Sequence, residues 1–295
     1  MLLVNFSHSG RNGIGVLDRA RNEVVELTQT TPAVAQSMIA FIATGRQGLD
    51  AARVAVAGGK GRISASAVKF LAPIPRPARN ILCVGKNYRE HAKEVQGTAF
   101  ASADKDGVPP VPVIFTKWPS SVIGPGDSIP SHLDPSQSTD YEGELAVIIG
   151  PGGRGIKRAD AMRHVYGYTI INDVTARVIQ KRHEQWFLGK SMDGFCPMGP
   201  AILTADEVPD VAALPIQTRV NGELRQDSKV ALLIFDIPTL IETISTSMTL
   251  EPGDIISTGT PAGVGAGFKP PKYLKSGDKV AVTIEPIGTL ENTVS

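Results

Sequence analysis

The sequence of 295 residues contains little cysteine, few aromatic residues and almost no net charge. Its 2 cysteines, Cys83 and Cys196, cannot form the disulfide framework of a small secreted protein, so we expect a reducing, cytoplasmic setting. The 30 Lys and Arg residues nearly balance the 29 Asp and Glu residues, giving a net charge of +1. This balance argues against nucleic acid or an anionic membrane surface as a partner.

Long apolar runs are also missing. The longest, residues 145–149 and 230–235, fall far short of the roughly 18 residues that suggest a membrane-spanning helix. The start, MLLVNF, lacks the basic region and the long apolar stretch of a signal peptide. Neither cysteine has a spacing typical of zinc ligands, and the chain has no Gly-x-Ser-x-Gly nucleophile elbow.

The distribution of proline suggests a division of the chain. Three prolines within residues 73–77 interrupt both helix and strand. We therefore predict a small α/β domain over residues 1–72, a proline-rich linker over 73–79 and a larger domain over 80–295. The larger domain has the pattern of a β-rich α+β fold, with short strand-like runs between Gly, Pro and Asp turns.

Local patterns predict three helices. One runs from Pro32 to about Thr44, with Thr31 as its N-cap. The others cover about 174–186 and about 237–248, the latter capped by Asp236. Asn221-Gly222 predicts a hairpin. The predicted strands in the larger domain are 81–84, 111–115, 144–149, 168–172, 217–220, 254–258 and 279–284.

Glu142 and Glu144 open one of these strands. Side chains at i and i+2 lie on one face of a strand, and two adjacent carboxylates repel unless a cation lies between them. Oxygen ligands of this kind suit Mg²⁺, Mn²⁺ or Ca²⁺. A solvated strand face would show the same alternation, so the pair is a candidate metal site with an ordinary alternative.

Asp173 follows the run 168–172 and has two interpretations. It is a candidate metal ligand, or it caps the helix that follows, which is a common position for Asp. Arg177 and Gln180 lie at i+4 and i+7, on the same helical face as Asp173. Arg177 would then pair with Asp173 or with Glu184.

His91 and Glu94 are spaced to share one face of a helix, where a carboxylate can orient a histidine as a general base. Three charged neighbours make a solvated helix face the alternative.

The stretch 258–267 is rich in glycine but precedes no helical pattern, so it indicates a series of tight turns or backbone close to a ligand. Lys190 follows Gly189 as in a phosphate loop, but Glu184 stands where that motif requires glycine.

The order of these motifs is more specific than any one of them. VGKNYREHAKE (84–94), YEGEL (141–145), NDVTAR (172–177), GKSMDGFCPMGP (189–200) and STGTPAGV (257–264) together resemble the fumarylacetoacetate hydrolase superfamily, in the branch of acylpyruvases and fumarylpyruvate hydrolases. The resemblance covers residue 80 to the C-terminus. It implies a mixed β-sandwich roll, usually a homodimer, and the small N-terminal domain resembles one that some members carry.

The resemblance also implies roles for individual residues. Lys190 would steady negative charge on the substrate, and His91 with Glu94 would activate water. Gln180 and Thr260 match substrate-contacting positions. The positions matching the ligands of Mg²⁺ or Mn²⁺ are Glu142, Glu144 and Asp173.

Three positions depart from the pattern of many relatives: Val178, Met192 and Gly194. They leave the metal positions intact and affect the expected substrate. The segment 97–112, rich in Gly, Ala, Pro and Ser, is a candidate lid over bound substrate.

The function that follows from the resemblance is hydrolysis of a C–C bond in an acylpyruvate or fumarylpyruvate, a 2,4-dioxo acid, through a pyruvate enolate. The same enolate chemistry admits decarboxylation or keto–enol tautomerisation of oxaloacetate, and isomerisation or hydration of 2-oxo-heptene-dioates. A member without catalytic activity, a metal-stabilised dimer, is the alternative outside enzymology. Each of these functions implies a small 2-oxo acid as the ligand. None of them requires nucleic acid or a membrane as a partner.

Overall fold

The computed structural model describes residues 1–95 and 107–295. Strands dominate the described part of the chain, which confirms the predicted β-rich α+β class. The helices are α1 Leu27–Thr30, α2 Met38–Ala43, α3 Arg46–Gly58, α4 Arg89–Glu94, α5 Arg177–Arg182, α6 Phe187–Lys190 and α7 Ile237–Ser245. The first ten strands are β1 Leu2–His8, β2 Arg11–Asp18, β3 Glu23–Glu26, β4 Arg62–Ser64, β5 Lys69–Leu71, β6 Ile81–Gly85, β7 Val113–Lys117, β8 Val122–Ile123, β9 Ser128–Ile129 and β10 Thr139–Asp140. The others are β11 Gly143–Ile149, β12 Val165–Asn172, β13 Thr175–Ala176, β14 Cys196–Thr204, β15 Pro215–Val220, β16 Glu223–Lys229, β17 Ile255–Ser257, β18 Lys279–Ile284 and β19 Gly288–Val294.

The strands form one large mixed sheet and two smaller ones. The large sheet has the order β4-β3-β2-β1-β14-β12-β11-β17-β6-β7, with β5 paired to β1 and β8 paired to β14. A five-stranded sheet has the order β16-β15-β18-β19-β9, and β10 pairs with β13 alone. Most neighbours are antiparallel, but β6 runs parallel to β17, β8 to β14 and β9 to β19.

The central strand β11 is buried on both faces and divides the core into two layers. Leu145 and Val147 belong to a cluster that packs against the five-stranded sheet through Val282 and other residues. Ala146 and Ile148 point the other way, into a cluster that includes Phe41 of α2. This alternation is the period-two pattern of a strand between two packed layers.

The large sheet places several strand ends side by side. Gly143 pairs with Asn172 at the β11–β12 edge, and Ala146 pairs with Ser257 of β17. Ser257 in turn lies beside Cys83 of β6. The residues that flank these strand ends are therefore brought to one place.

The first strand joins the N-terminal part of the chain to the rest of the large sheet. Leu2 pairs with Leu203 and Leu3 with Ile202 of β14. The division into residues 1–72, 73–79 and 80–295 stays a prediction.

The predicted helix over 32–44 is wrong at its start. Thr31 ends α1, and its hydroxyl donates a hydrogen bond to the carbonyl of Leu27 at 3.0 Å. The N-cap is Ser37, whose hydroxyl accepts a hydrogen bond from the amide of Ala40 at 3.1 Å. The following helix, α3, was not predicted.

The predicted helix over 174–186 is wrong at both ends, because α5 covers only Arg177–Arg182, whereas two other predictions are confirmed. Thr175 and Ala176 remain extended because they pair with Asp140 and Thr139, so α5 begins at Arg177. Asp236 caps α7 by accepting a hydrogen bond from the amide of Thr239 at 3.0 Å. Asn221 and Gly222 form the predicted hairpin, both with positive φ.

No helix in the described ranges is both long and apolar enough to cross a membrane. The candidate lid, 97–112, lies outside the described residues over 97–106, so it stays a prediction.

Candidate active site

Three carboxylates meet where β11 begins and β12 ends. Glu142 directly precedes β11, Glu144 lies within it, and Asp173 directly follows β12. Their backbones are tied together, since the amide of Asp173 donates to the carbonyl of Glu142 at 2.8 Å. One oxygen from each carboxylate lies within 4.8 Å of the others, and all three side chains are buried. The predicted trio is therefore assembled, and Asp173 is no helix cap, because Ala176 holds that position.

Two buried lysines hold this trio. The Lys190 ammonium donates to Glu142 Oε2 and to Asp173 Oδ2, both at 2.8 Å. The Lys117 ammonium donates to Asp173 Oδ1 at 2.7 Å and also to the main-chain carbonyls of Val174 and Lys190. Sequence reasoning identified Lys190 but missed Lys117, which comes from β7.

Arg177 forms different ion pairs from those predicted. Its Nε donates to Asp140 at 2.8 Å and its Nη1 lies 2.6 Å from Glu142, rather than pairing with Asp173 or Glu184. Nη2 is buried and has no hydrogen-bond partner within residues 1–95 and 107–295. Asp140, at the end of β10, was not predicted either.

Glu144 is held by neutral donors. Its Oε2 accepts hydrogen bonds from the hydroxyl of Ser257 at 2.6 Å and from the amide of Gly259 at 2.9 Å. Burial and the charges of Asp173 and Glu142 raise the pKa of Glu144 well above its usual range.

Glu142 and Lys190 are charged despite being buried. Burial favours the neutral acid, but the charges of Lys190 and Arg177 outweigh it and lower the pKa of Glu142 to about 2. Burial disfavours the ammonium of Lys190, but Asp173 and Glu142 outweigh it and raise its pKa. The two side chains are thus a buried ion pair.

The trio fits a divalent ion. Ligand oxygens about 2.1 Å from Mg²⁺ lie about 3.0 Å apart at neighbouring positions and about 4.2 Å apart at opposite ones, so an ion would draw these oxygens, which lie within 4.8 Å of one another, closer together. The donor set is entirely carboxylate oxygen, as Mg²⁺ and Mn²⁺ prefer.

The predicted histidine–glutamate pair is formed on α4. His91 Nδ1 lies 3.1 Å from Glu94 Oε2, and Glu94 Oε1 accepts a hydrogen bond from the amide of Gly263 at 2.9 Å. With Nδ1 as the donor to Glu94, Nε2 of His91 is left as an acceptor. His91 lines the same cleft as Glu142.

The cleft and its opening to solvent comprise about 390 Å³, and the lining is partly polar and partly apolar. Lys190, Gln180 and Thr260 belong to its polar lining together with Glu142 and Glu144. Thr260 also donates to the carbonyl of Gly143 at 3.1 Å. The apolar lining is formed by Val84, Gly85, Val95, Phe115 and Trp186.

All eight predicted site residues thus come together, and their roles stay predictions. The signals for the missed residues were weak. Lys117 stands in a strand-like run 56 residues before Asp173, and Asp140 directly precedes the recognised YEGEL motif. Trp186 stood within a predicted helix, so nothing marked it as part of a cleft.

The β-rich fold with mixed sheets and the buried carboxylate trio define the class of the protein. A family model described as fumarylacetoacetate (FAA) hydrolase C-terminal matches residues 80–295. The chain belongs to the fumarylacetoacetate hydrolase family.

Individual relatives carry different activities in their names. The chain is 54% identical over 231 residues to oxaloacetate tautomerase YisK of Bacillus subtilis, covering 78% of this chain and 74% of that protein. It is similar to a fumarylacetoacetate hydrolase from Exiguobacterium antarcticum, with 46% identity, a TM-score of 0.84, and coverage of 100% of this chain and 99% of that one. It is also similar to a maleylpyruvate hydrolase from Sphingobium sp. SYK-6 in complex with manganese(II) ion and pyruvate, with 31% identity, a TM-score of 0.78, and coverage of 100% and 98%.

Proposed function

We propose that this chain is a divalent-metal-dependent enzyme that interconverts the keto and enol forms of oxaloacetate. The observation that carries the proposal is one cleft lined by Glu142, Glu144, Lys190 and His91, in which His91 is oriented by the carboxylate of Glu94. Sequence alone favours hydrolysis ahead of tautomerisation. The 54% identity to a tautomerase reverses that order.

Glu142, Glu144 and Asp173 would hold Mg²⁺ or Mn²⁺. When bound, such an ion supplies a Lewis acid for the carboxylate and 2-oxo oxygens of a 2-oxo acid. The manganese and pyruvate bound by the Sphingobium relative support both the ion and the class of ligand.

The side chains of the cleft have distinct tasks in this reaction. His91 Nε2 takes a proton from C3 of the keto form, while Glu94 holds the imidazole and stabilises its charge. The negative charge that develops on the C2 oxygen is stabilised by Lys190 in a buried setting. That oxygen then receives the proton held by His91, so the keto form becomes the enol with no net gain or loss of atoms and His91 returns to its neutral form.

Arg177 supplies a further contact. Its buried Nη2 lacks a partner among the described residues, and its other nitrogens are fixed by Asp140 and Glu142. A guanidinium held in this way is ready to bind a substrate carboxylate. Gln180 and Thr260 would orient the substrate from the polar lining of the cleft.

The second candidate function is hydrolysis of an acylpyruvate, and the His91–Glu94 pair favours it. The pair would take a proton from water, and the hydroxide would attack the C4 carbonyl. The C3–C4 bond would break to leave pyruvate, after protonation of C3, and a carboxylic acid. The residues of the trio and Lys190 would keep the tasks described above.

A product assay tests both functions. Metal-stripped protein is incubated with oxaloacetate, acetylpyruvate and fumarylpyruvate, with and without Mg²⁺ or Mn²⁺, and the products are identified by NMR. Metal-dependent exchange between the keto and enol forms of oxaloacetate, without net loss of CO₂, is the expected result. Release of pyruvate and a carboxylic acid from an acylpyruvate would establish hydrolysis instead.

His91→Ala tests the proton-transfer role. We expect it to lower turnover by about 10²-fold or more while Mn²⁺ still binds. The control is His132→Ala, because His132 is exposed and lies outside the cleft. Full activity of His91→Ala beside an equally active control would overturn the role of His91.

A further inference from the structure

The glycine-rich loop, residues 258–267, follows β17 and includes one predicted substrate contact, Thr260. The sequence of this loop is compatible with a series of tight turns or with backbone close to a ligand. Besides Glu144, which accepts from the amide of Gly259, the loop's backbone amides bind two further carboxylates of the protein, Asp140 and Glu94.

The first of these carboxylates is Asp140. The amides of Gly265 and Ala266 donate to its two oxygens at 2.7 and 2.9 Å. Asp140 also accepts from Arg177, which pairs with Glu142. Through Asp140, the glycine-rich loop is therefore anchored to the carboxylate side of the site.

The second carboxylate is Glu94, and Tyr141 fixes the residue that binds it. The amide of Gly263 donates to Glu94 Oε1 at 2.9 Å. The carbonyl of the same Gly263 accepts a hydrogen bond from the Tyr141 hydroxyl at 2.7 Å. Since Glu94 Oε2 lies 3.1 Å from His91, four residues form one chain of contacts from Tyr141 to His91.

The loop has little freedom where these contacts are made. Gly263 has a φ of +104°, and a Cβ there would collide with the backbone carbonyl of Arg225. A Cβ on Gly267 would collide with the carboxylate of Glu94. Close approach, rather than flexibility, explains these two glycines.

We propose that Tyr141 is a positioning residue for the His91–Glu94 pair, acting through Gly263 of the glycine-rich loop. Tyr141 is fully buried and does not line the cleft, so it does not touch the substrate. Its neighbour Asp140 anchors the same loop to Arg177. Together these two consecutive residues set the position of the histidine relative to the carboxylate trio.

This inference rests on the proposed function, in which His91 moves the proton. It assigns a positioning role to Tyr141, whose hydroxyl takes no part in the proton transfer itself. The Tyr141 hydroxyl restricts Glu94 to one orientation, and Glu94 in turn restricts the imidazole.

Tyr141→Phe removes the hydroxyl and retains the ring. The matched control is Tyr166→Phe, because the buried Tyr166 hydroxyl has no hydrogen-bond partner in the described part of the chain. Each variant is made in the wild-type background and in a Glu94→Gln background. Turnover is measured on the substrate that the wild-type protein converts, and Mn²⁺ affinity is measured by calorimetry.

We expect Tyr141→Phe to lower kcat about 10-fold, with KM and the Mn²⁺ Kd within about two-fold of wild type. In the Glu94→Gln background the same substitution should cause no further loss, because its effect passes through Glu94. Tyr166→Phe should change none of these values. Unchanged kcat in Tyr141→Phe, or an equal loss in both backgrounds, would overturn the proposal.

A second measurement needs no turnover and separates this proposal from the proposed function. The imidazole signals of the Mg²⁺-loaded protein are recorded by NMR, and that of His91 is assigned by its absence in His91→Gln. We expect Tyr141→Phe, but not Tyr166→Phe, to shift the His91 signal. A shift in a protein that converts none of the 2-oxo acids would refute the function and retain the positioning role, and an unshifted signal would refute the positioning role.

Discussion

At the scale of single residues, charge balance decides how the site is built. Within the site, four buried carboxylates face three buried cations: Asp140, Glu142, Glu144 and Asp173 against Lys117, Arg177 and Lys190. Each carboxylate has a charged or neutral donor, so burial does not leave it unsatisfied. Glu144 has no cation of its own, which makes it the residue that gains most from a divalent ion.

Lys117 is predicted to hold the trio together. Replacing it by Met leaves Asp173 Oδ1 and two carbonyls without their donor, so we expect a loss of about 3–5 kcal/mol in the free energy of unfolding. Saturating Mg²⁺ or Mn²⁺ should recover part of this loss, because the ion neutralises Asp173. Thermal unfolding with and without metal measures both effects.

The matched control for Lys117→Met is Lys69→Met. Lys69 pairs with Asp127 at 2.8 Å, but its side chain is 64% exposed, so its removal should cost at most about 1 kcal/mol. Equal losses in the two variants, or no dependence of Lys117→Met on metal, would contradict the assigned role of Lys117.

The residues of the site differ in how far sequence could predict them. Glu142 and Glu144 are two apart on one strand, and His91 and Glu94 are three apart on one helix, so local periodicity places each pair. Lys117 lies 56 residues before its partner Asp173. No local sequence pattern predicts such a contact, because the contact depends on where β7 lies in the sheet.

At the scale of elements, a helix start was predicted correctly where only one capping signal was present and no strand pairing competed with the helix. The α7 helix has Asp236 as its cap and a continuous apolar face, and it begins where predicted. Around α2 two capping signals competed. Ser37 caps the observed helix, while Thr31 lies at the end of α1. Around α5, pairing of β13 with β10 overrode helix propensity in a way that the local sequence does not show.

The segment between α5 and α6 contributes Trp186 to the wall of the cleft. Its ring packs against Gly85 at the end of β6 and meets Phe115 edge to face, with ring centroids 5.2 Å apart. A Cβ on Gly85 would collide with this ring. We expect Gly85→Ala to displace Trp186 toward solvent, to destabilise the fold by about 1–3 kcal/mol and to impair turnover.

Fluorescence tests the displacement of Trp186. In a Trp118→Phe background Trp186 is the remaining tryptophan of the 2 in the chain, and its emission should shift to the red in Gly85→Ala. The control is Gly58→Ala at the end of α3, where a Cβ meets nothing within 4 Å. Unchanged emission and stability in Gly85→Ala would show that Trp186 does not depend on this glycine.

At the scale of the whole molecule, topology was beyond the reach of local patterns. The predicted α+β class is confirmed, yet the alternation that identifies β11 as a strand does not say that β12 and β17 flank it. Likewise, the proline-rich segment 73–79 does not reveal that β1 continues the large sheet by pairing with β14. Strand order follows from contacts distant in sequence, and these also assemble the site.

The homodimer stays a prediction, and an exposed apolar patch indicates where it would form. Trp118 and Leu188 are each 51% exposed, and they line one apolar surface depression together with Ile179, Phe187 and Met192. Trp118 packs edge to face with Phe187 on α6, the helix that also carries Lys190 into the site. Monomeric proteins rarely expose large apolar patches, so we expect a second copy of this chain to cover this one.

Light scattering coupled to size-exclusion chromatography tests this dimer. We expect the wild-type chain to elute at twice its mass of 31.2 kDa and Leu188→Asp to elute as a monomer, because a buried, unpaired carboxylate at the interface is unfavourable. The control is Leu224→Asp on β16, where the leucine is 41% exposed and outside the patch, and it should remain dimeric. Since α6 carries Lys190, the monomeric variant should also bind Mn²⁺ more weakly. A wild-type monomer, or a Leu188→Asp dimer, would refute this interface.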